Sequence, residues 1–138
     1  MKNMTGKWKQ CKAENLEVLL KKMGVGKLHR EIISKVIPSL EIYQDGDHFI
    51  IRTVTKFRDV ELNFTVGECF IDTTLSGENR KAVARWEHGG QRLVVTEFDD
   101  KDGKQQTQRE LASENELLVT LLYRGVTAKR YFTRVKQH

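Results

Sequence analysis

Two arginines stand in tracts whose residue types otherwise build a sheet. Arg130 lies in TAKRYFTRVK (127–136) and Arg109 in QTQREL (106–111). A guanidinium on the inner face of a sheet is a cation taken out of water, and it is stable there only with a counter-charge. No obvious acidic partner accompanies either one. A ligand carboxylate would supply the charge, because the planar guanidinium fork holds a carboxylate bidentately or through a water. Alternation along the strand leaves the direction open. Arg130 shares one face with Ala128, Phe132 and Arg134, and Lys129, Tyr131, Thr133 and Val135 share the other.

Other chemistries find little support. His29, His48, His88 and His138 are scattered, with no Cys or acid at metal spacing, so no metal site and no cofactor are expected. Cys11 and Cys69 match no redox or zinc pattern and read as free thiols. No Ser-His-Asp order, phosphate-cradling glycine loop or paired-carboxylate signature appears, which argues against an enzyme.

The chain has 138 residues, enough for one domain spanning 1–138. With 38% hydrophobic and 31% charged residues the composition is that of a globular protein. The N-terminal MKNMTGKWKQCKAE has no apolar stretch of the kind a secretory leader needs, so a cytoplasmic location is expected, with the nucleus as a second compartment. The net charge of +5 is uneven. Residues 1–36 hold nine Lys/Arg against three acids, a surplus of six that leaves −1 for the rest. Such a surface attracts anionic headgroups or nucleic acid. An alternative function follows: a basic peripheral module that binds an anionic membrane or nucleic acid through residues 1–36.

The elements that must position the arginines follow from periodicity. KWKQCK (7–12) reads as a first strand. Leu16, Leu19, Leu20 and Met23 fall at i, i+3, i+4, i+7, one helix face, with Asn15 as its cap and Gly24 as its end. Leu28, Ile32, Ile33 and Val36 share a face of a second helix that Pro38 stops. From Ser39 onward, runs of six to ten residues alternate with turn signals, among them Asp45-Gly46-Asp47, Gly89-Gly90, Asp102-Gly103 and Arg124-Gly125. Ten strands joined by tight turns predict an all-β fold, a ten-stranded antiparallel up-and-down β-barrel capped by a helix-turn-helix lid. Closure removes unpaired edges, and ten strands leave a cavity.

The whole chain resembles the intracellular lipid-binding proteins, which include fatty-acid-binding and cellular retinoid-binding proteins. The resemblance is carried by TGKW (5–8), AENLEVLLKKMGVG (13–26), Arg30, Pro38, QDGD (44–47), TKFRDVELNFTVGECF (55–70), ARWE (84–87), QREL (108–111) and VTAKRYF (126–132). Within the family it is nearest in look to the cellular retinoic-acid-binding proteins, which share the spacing of 21 positions between Arg109 and Arg130. The retinol-binding branch resembles it less, having glutamine where Arg109 stands and lysine where Leu40 stands.

The resemblance implies a non-enzymatic carrier that buries one amphipathic carboxylic acid, retinoic acid or a long-chain fatty acid. It implies a carboxylate site at Arg109, Arg130 and Phe132; the family has tyrosine where Phe132 stands, and Tyr131 points to the opposite face. It also implies a ligand pocket and portal at Leu16, Leu20, Ile32, Pro38, Thr53, Thr55, Phe57, Arg58, Leu75, Leu117 and Val119. The expected partners are the small hydrophobic acid and, transiently, anionic membranes met by Lys21, Lys22 and Arg30 of a monomeric carrier, with no nucleic acid. Glu31 stands where the retinoic-acid subgroup has a basic residue, which argues against nuclear import.

Overall fold

The structure, a computed structural model, describes residues 3–73, 78–97 and 105–136. The chain begins with strand β1 (Gly6–Glu14), then helices α1 (Leu16–Lys22) and α2 (Lys27–Lys35). Nine strands follow: β2 (Ser39–Asp45), β3 (His48–Val54), β4 (Asp59–Thr65), β5 (Phe70–Thr73), β6 (Asn79–Glu87), β7 (Arg92–Glu97), β8 (Gln105–Ser113), β9 (Glu116–Tyr123) and β10 (Val126–Arg134). They form one antiparallel sheet in the order β4-β3-β2-β1-β10-β9-β8-β7-β6-β5, so the first and last strands pair at its centre.

The curled sheet is a nearly closed barrel. β4 pairs only with β3 and β5 only with β6, so two edges face each other across a seam where full closure was expected. The seam is bridged at one end: the Gly67 amide, just past β4, donates to the Ala84 carbonyl of β6 at 2.9 Å, while the Val66 amide extends the β3–β4 ladder to the Asp47 carbonyl at 2.9 Å. Nearby, Trp86 Nε1 donates to Asp47 Oδ1 at 2.9 Å, joining β6 to the β2–β3 turn.

An apolar plug fills that end of the barrel. Met4, Trp8, Phe49 and Phe64 are buried there, with Phe70 and Trp86 packed against them. The Phe49 and Phe64 rings stack with centroids 5.3 Å apart, and Phe64 stacks on Phe70 at 4.5 Å. Trp8 Nε1 donates to the Met4 carbonyl at 3.0 Å, and the Arg134 guanidinium lies over the Trp8 ring, 4.2 Å from its centroid. This aromatic plug excludes water from one end and leaves the other for the helices.

The two helices differ in how they meet the barrel. In α1, Leu16, Leu19 and Leu20 are buried against Ala128 of β10. In α2 no residue is buried, and Leu28, expected on its inward face, is 69% exposed. Asn15 does not cap α1 with its side chain. It sits in the left-handed region (φ 60°) and its Nδ2 donates across to the Thr127 carbonyl at 2.9 Å. Asn tolerates that conformation better than most residues, and here it uses its amide to tie the start of the lid to β10. Gly24 (φ 85°) ends α1 as expected, its amide donating to the Lys21 carbonyl and the next amide, of Val25, to Leu20.

Candidate functional site

Strand register fixes what the arginines face. Along β9, Leu117, Val119, Leu121 and Tyr123 point inward in successive layers. Val119 pairs with Arg109 on β8 and with Arg130 on β10, so the two arginines belong to one row. With strands about 4.8 Å apart, their Cα atoms are about 10 Å apart, close enough for one headgroup to reach both side chains. The layer below is apolar: Leu117 flanked by Leu111 and Phe132. The layer above holds Leu121 flanked by Thr107 and Ala128. The arginines are thus a cationic band between layers that offer no counter-charge.

The direction that alternation left open is resolved. Ala128 and Phe132 are buried and Arg130 lies between them on the inner face. Tyr131 points outward, where its hydroxyl donates to Glu14 Oε2 at 3.2 Å and Lys12 lies over its ring. Phe132 lines the cavity one layer below Arg130 with no hydroxyl to offer.

Two hollows meet at this band. The inner one, about 150 Å³, is bounded by Leu19 and Met23 of α1, by Leu40, Leu62, Val119, Leu121 and Phe132, and by a polar side of Thr53, Asp72, Gln105, Thr107, Arg109 and Arg130. The outer one, about 320 Å³, lies beneath α2 and the β3–β4 turn and is lined by Ile32, Ile33, Val36, Pro38, Thr55, Phe57 and Arg58. Thr53, Val60, Thr73 and Arg130 border both. The Thr55 hydroxyl shapes the rim: it donates to the Arg58 carbonyl at 2.8 Å and accepts from the Phe57 and Arg58 amides at 3.2 and 3.1 Å. Phe57 at that rim is 67% exposed.

The other residues assigned to the pocket fall in different places. Leu16 and Leu20 pack in the cluster that seats α1 on β10, and Leu19 and Met23 of the same helix face the inner hollow instead. Leu117 belongs to the apolar layer below the arginines. Leu75 lies outside the described residues.

Electrostatically the band is under-compensated. Arg109 Nε and Nη1 and Arg130 Nε are buried without a hydrogen-bond partner. Burial pushes the Arg130 guanidinium down to about 10. Burial also lowers Arg109, with Asp72 opposing. Asp72 is the acid the sequence reading missed. Burial pushes its carboxyl above the usual range, while Arg109 and the Thr73 amide hold it back. Its orientation was readable from alternation: Phe70 packs inward, Ile71 is exposed, and Asp72 returns to the inner side. Chemically, the arrangement offers unsatisfied cationic N–H donors beside apolar walls, the complement of an anionic head on a hydrocarbon body.

Comparison with known proteins agrees with this architecture. No family model matches the chain. It is similar to cellular retinoic acid-binding protein 2 of Homo sapiens, 36% identical over 137 residues that cover 97% of this chain and 99% of that protein. It is equally similar to cellular retinoic acid-binding protein 1 of Gallus gallus, 36% identical with the same coverage. Among solved structures it superposes on the REP1-NXSQ fatty acid transporter with a TM-score of 0.86, 27% identity and 98% of both chains covered. With full-length similarity of this degree, the same ten antiparallel strands and the same pair of helices, the chain belongs to the intracellular lipid-binding protein family.

Proposed function

We propose that the protein is a non-enzymatic carrier that buries one amphipathic carboxylic acid, retinoic acid or a long-chain fatty acid, with its headgroup at Arg109 and Arg130. One observation carries this reading: two arginines in a single cross-strand row face an internal hollow with buried N–H groups unpartnered. An alcohol needs no such pair, whereas a carboxylate does. The relatives are named for retinoic acid and the structural neighbour for fatty acid transport, which supports both candidate ligands.

The energetics divide the work. Charged hydrogen bonds contribute about 1.5–3 kcal/mol each. The hydrocarbon adds about 0.8 kcal/mol per buried CH₂, less the ordering cost. The tail therefore supplies most of the affinity and the arginines select the head. Ile32, Pro38, Thr53, Thr55, Phe57, Arg58 and Val119 line the path from rim to band in this reading, and Phe132 sits beneath the head. The carrier acts as a cytoplasmic monomer.

Native mass spectrometry of the purified protein identifies its co-purified ligand, and titration with retinoic acid, retinol and oleate tests the headgroup. Retinol binding as tight as either acid would overturn the proposal. A second contact has its own support. Val18, Leu28 and Ile32 are exposed apolar residues of the helices, close in sequence to Lys21, Lys22, Lys27 and Arg30, and exposed Phe57 at the rim stands between Lys56 and Arg58. That pairing suits a brief docking on an anionic membrane. Co-sedimentation with anionic vesicles should be lost at moderate salt while acid binding in the cavity persists.

A further inference from the structure

We propose that Asp72 is the internal counterion of Arg109 and tunes the site to a singly charged headgroup, leaving Arg130 as the cation that the headgroup neutralises. This deepens the carrier reading and rests on it. Asp72, Arg109 and Arg130 are the only charged side chains among the described residues that line the inner hollow, and together they carry +1. One monoanion brings that count to zero. A neutral alcohol or a dianion leaves an unbalanced charge out of water.

The arginines are not equivalent in this field. Burial alone depresses Arg130, whereas Asp72 opposes the effect at Arg109. No hydrogen bond or ion pair joins Asp72 to either guanidinium, so its influence crosses the hollow through space and leaves their N–H groups open. Asp72 faces Arg109 from β8, Arg130 from β10, and Arg80 and Glu97 from β6 and β7 around a small adjoining hollow. Arg80 is directly opposite in register but occupied: its Nη1 donates to Glu97 Oε1 at 2.9 Å and its Nη2 to Glu78. With Arg80 committed, the uncommitted opposite charges around the inner hollow are Arg109 and Arg130, and of the two Asp72 acts on Arg109. An anionic headgroup entering the band meets Asp72 as a like charge. Protonating Asp72 removes that repulsion, so anion affinity rises as pH falls through its raised titration range.

Hexadecyl sulfonate, ionised throughout, separates this effect from titration of the ligand. Calorimetry on the full chain between pH 8 and pH 4 should show wild-type affinity for the sulfonate rising about three- to tenfold, with proton uptake detected by comparing buffers of different ionisation enthalpy. Asp72→Asn should bind more tightly than wild type at pH 8, with a flat profile. In that background Arg109→Gln and Arg130→Gln should weaken oleate binding to similar extents, whereas in wild type the Arg130 change weakens it more. The wild-type profile stands whether or not the variant folds. Tight binding with a flat wild-type profile and no proton uptake overturns the counterion role alone. Failure of wild type and variants to bind sulfonate, oleate and retinoic acid overturns the carrier reading, and this role with it.

Discussion

Arg109 and Arg130 flank Val119 in one cross-strand row, so a single residue of β9 sets the separation of the two cations. The pair is therefore as rigid as the ladder beneath it, and burying two under-compensated cations disfavours the apo barrel.

Arg130→Gln should lower oleate and retinoic acid affinity about ten- to hundredfold, the value of one charge-assisted hydrogen bond. The same change should raise apo stability by about 1–3 kcal/mol in urea titrations. The sign follows from burial: the folded-state guanidinium is pushed down to about 10, so the fold disfavours its charge at every pH below that value. A variant that loses both binding and stability would contradict this assignment.

Asp72 gives the pH dependence of the apo barrel. Its carboxyl is raised in the fold even with Arg109 nearby, so the neutral form is the better tolerated one. The penalty is complete above the folded-state value and fades as pH falls toward the ordinary carboxylate range. Asp72→Asn should therefore unfold at higher urea than wild type at pH 7, with the gap closing by pH 4. A gap that widens on acidification would refute the sign.

Phe132→Tyr returns the hydroxyl that the family places below the second arginine. Phe132 already lines the inner hollow. The variant should bind acids about three- to tenfold more tightly with little change for retinol, as one added donor would give. Unchanged acid affinity would mean that the hydroxyl does not reach the headgroup.

Asn15 combines a left-handed backbone with a side-chain bond to β10. Asn15→Ala should cost about 1–3 kcal/mol, from backbone strain together with a lost hydrogen bond. Asn15→Gly should recover the strain portion and remain short by the hydrogen bond alone. Chemical denaturation of the three proteins separates the terms; equal loss in both variants would remove the strain argument.

The barrel was legible because its turns are punctuated. Asp45-Gly46-Asp47 and Arg124-Gly125 mark hairpins by local chemistry, and β2–β3 and β9–β10 pair about them. The seam between β4 and β5 was not legible, because a missing ladder leaves no mark on either strand's own pattern. Helical spacing placed Leu16, Leu19, Leu20 and Met23 on one face, but not which of them touch the barrel wall and which look into the hollow, since that depends on how α1 is set against β10. Leu28 and Ile32 satisfy the spacing of a buried face, yet α2 lies over empty volume and leaves both exposed. Asp72 was missed because an acid within an apolar tract draws attention only once its cross-barrel neighbour is known.

The unequal seating of the two helices has a kinetic consequence. In the carrier reading proposed above, passage between solvent and the inner hollow runs beneath α2, a segment with no buried residue, over a rim marked by Phe57. Its opening free energy is a small fraction of that for unfolding the barrel. Amide exchange should therefore be fast along α2, slower in α1 and slowest in β9 and β10. Release of cargo is thereby uncoupled from survival of the container, which lets one long-lived molecule load and unload many times.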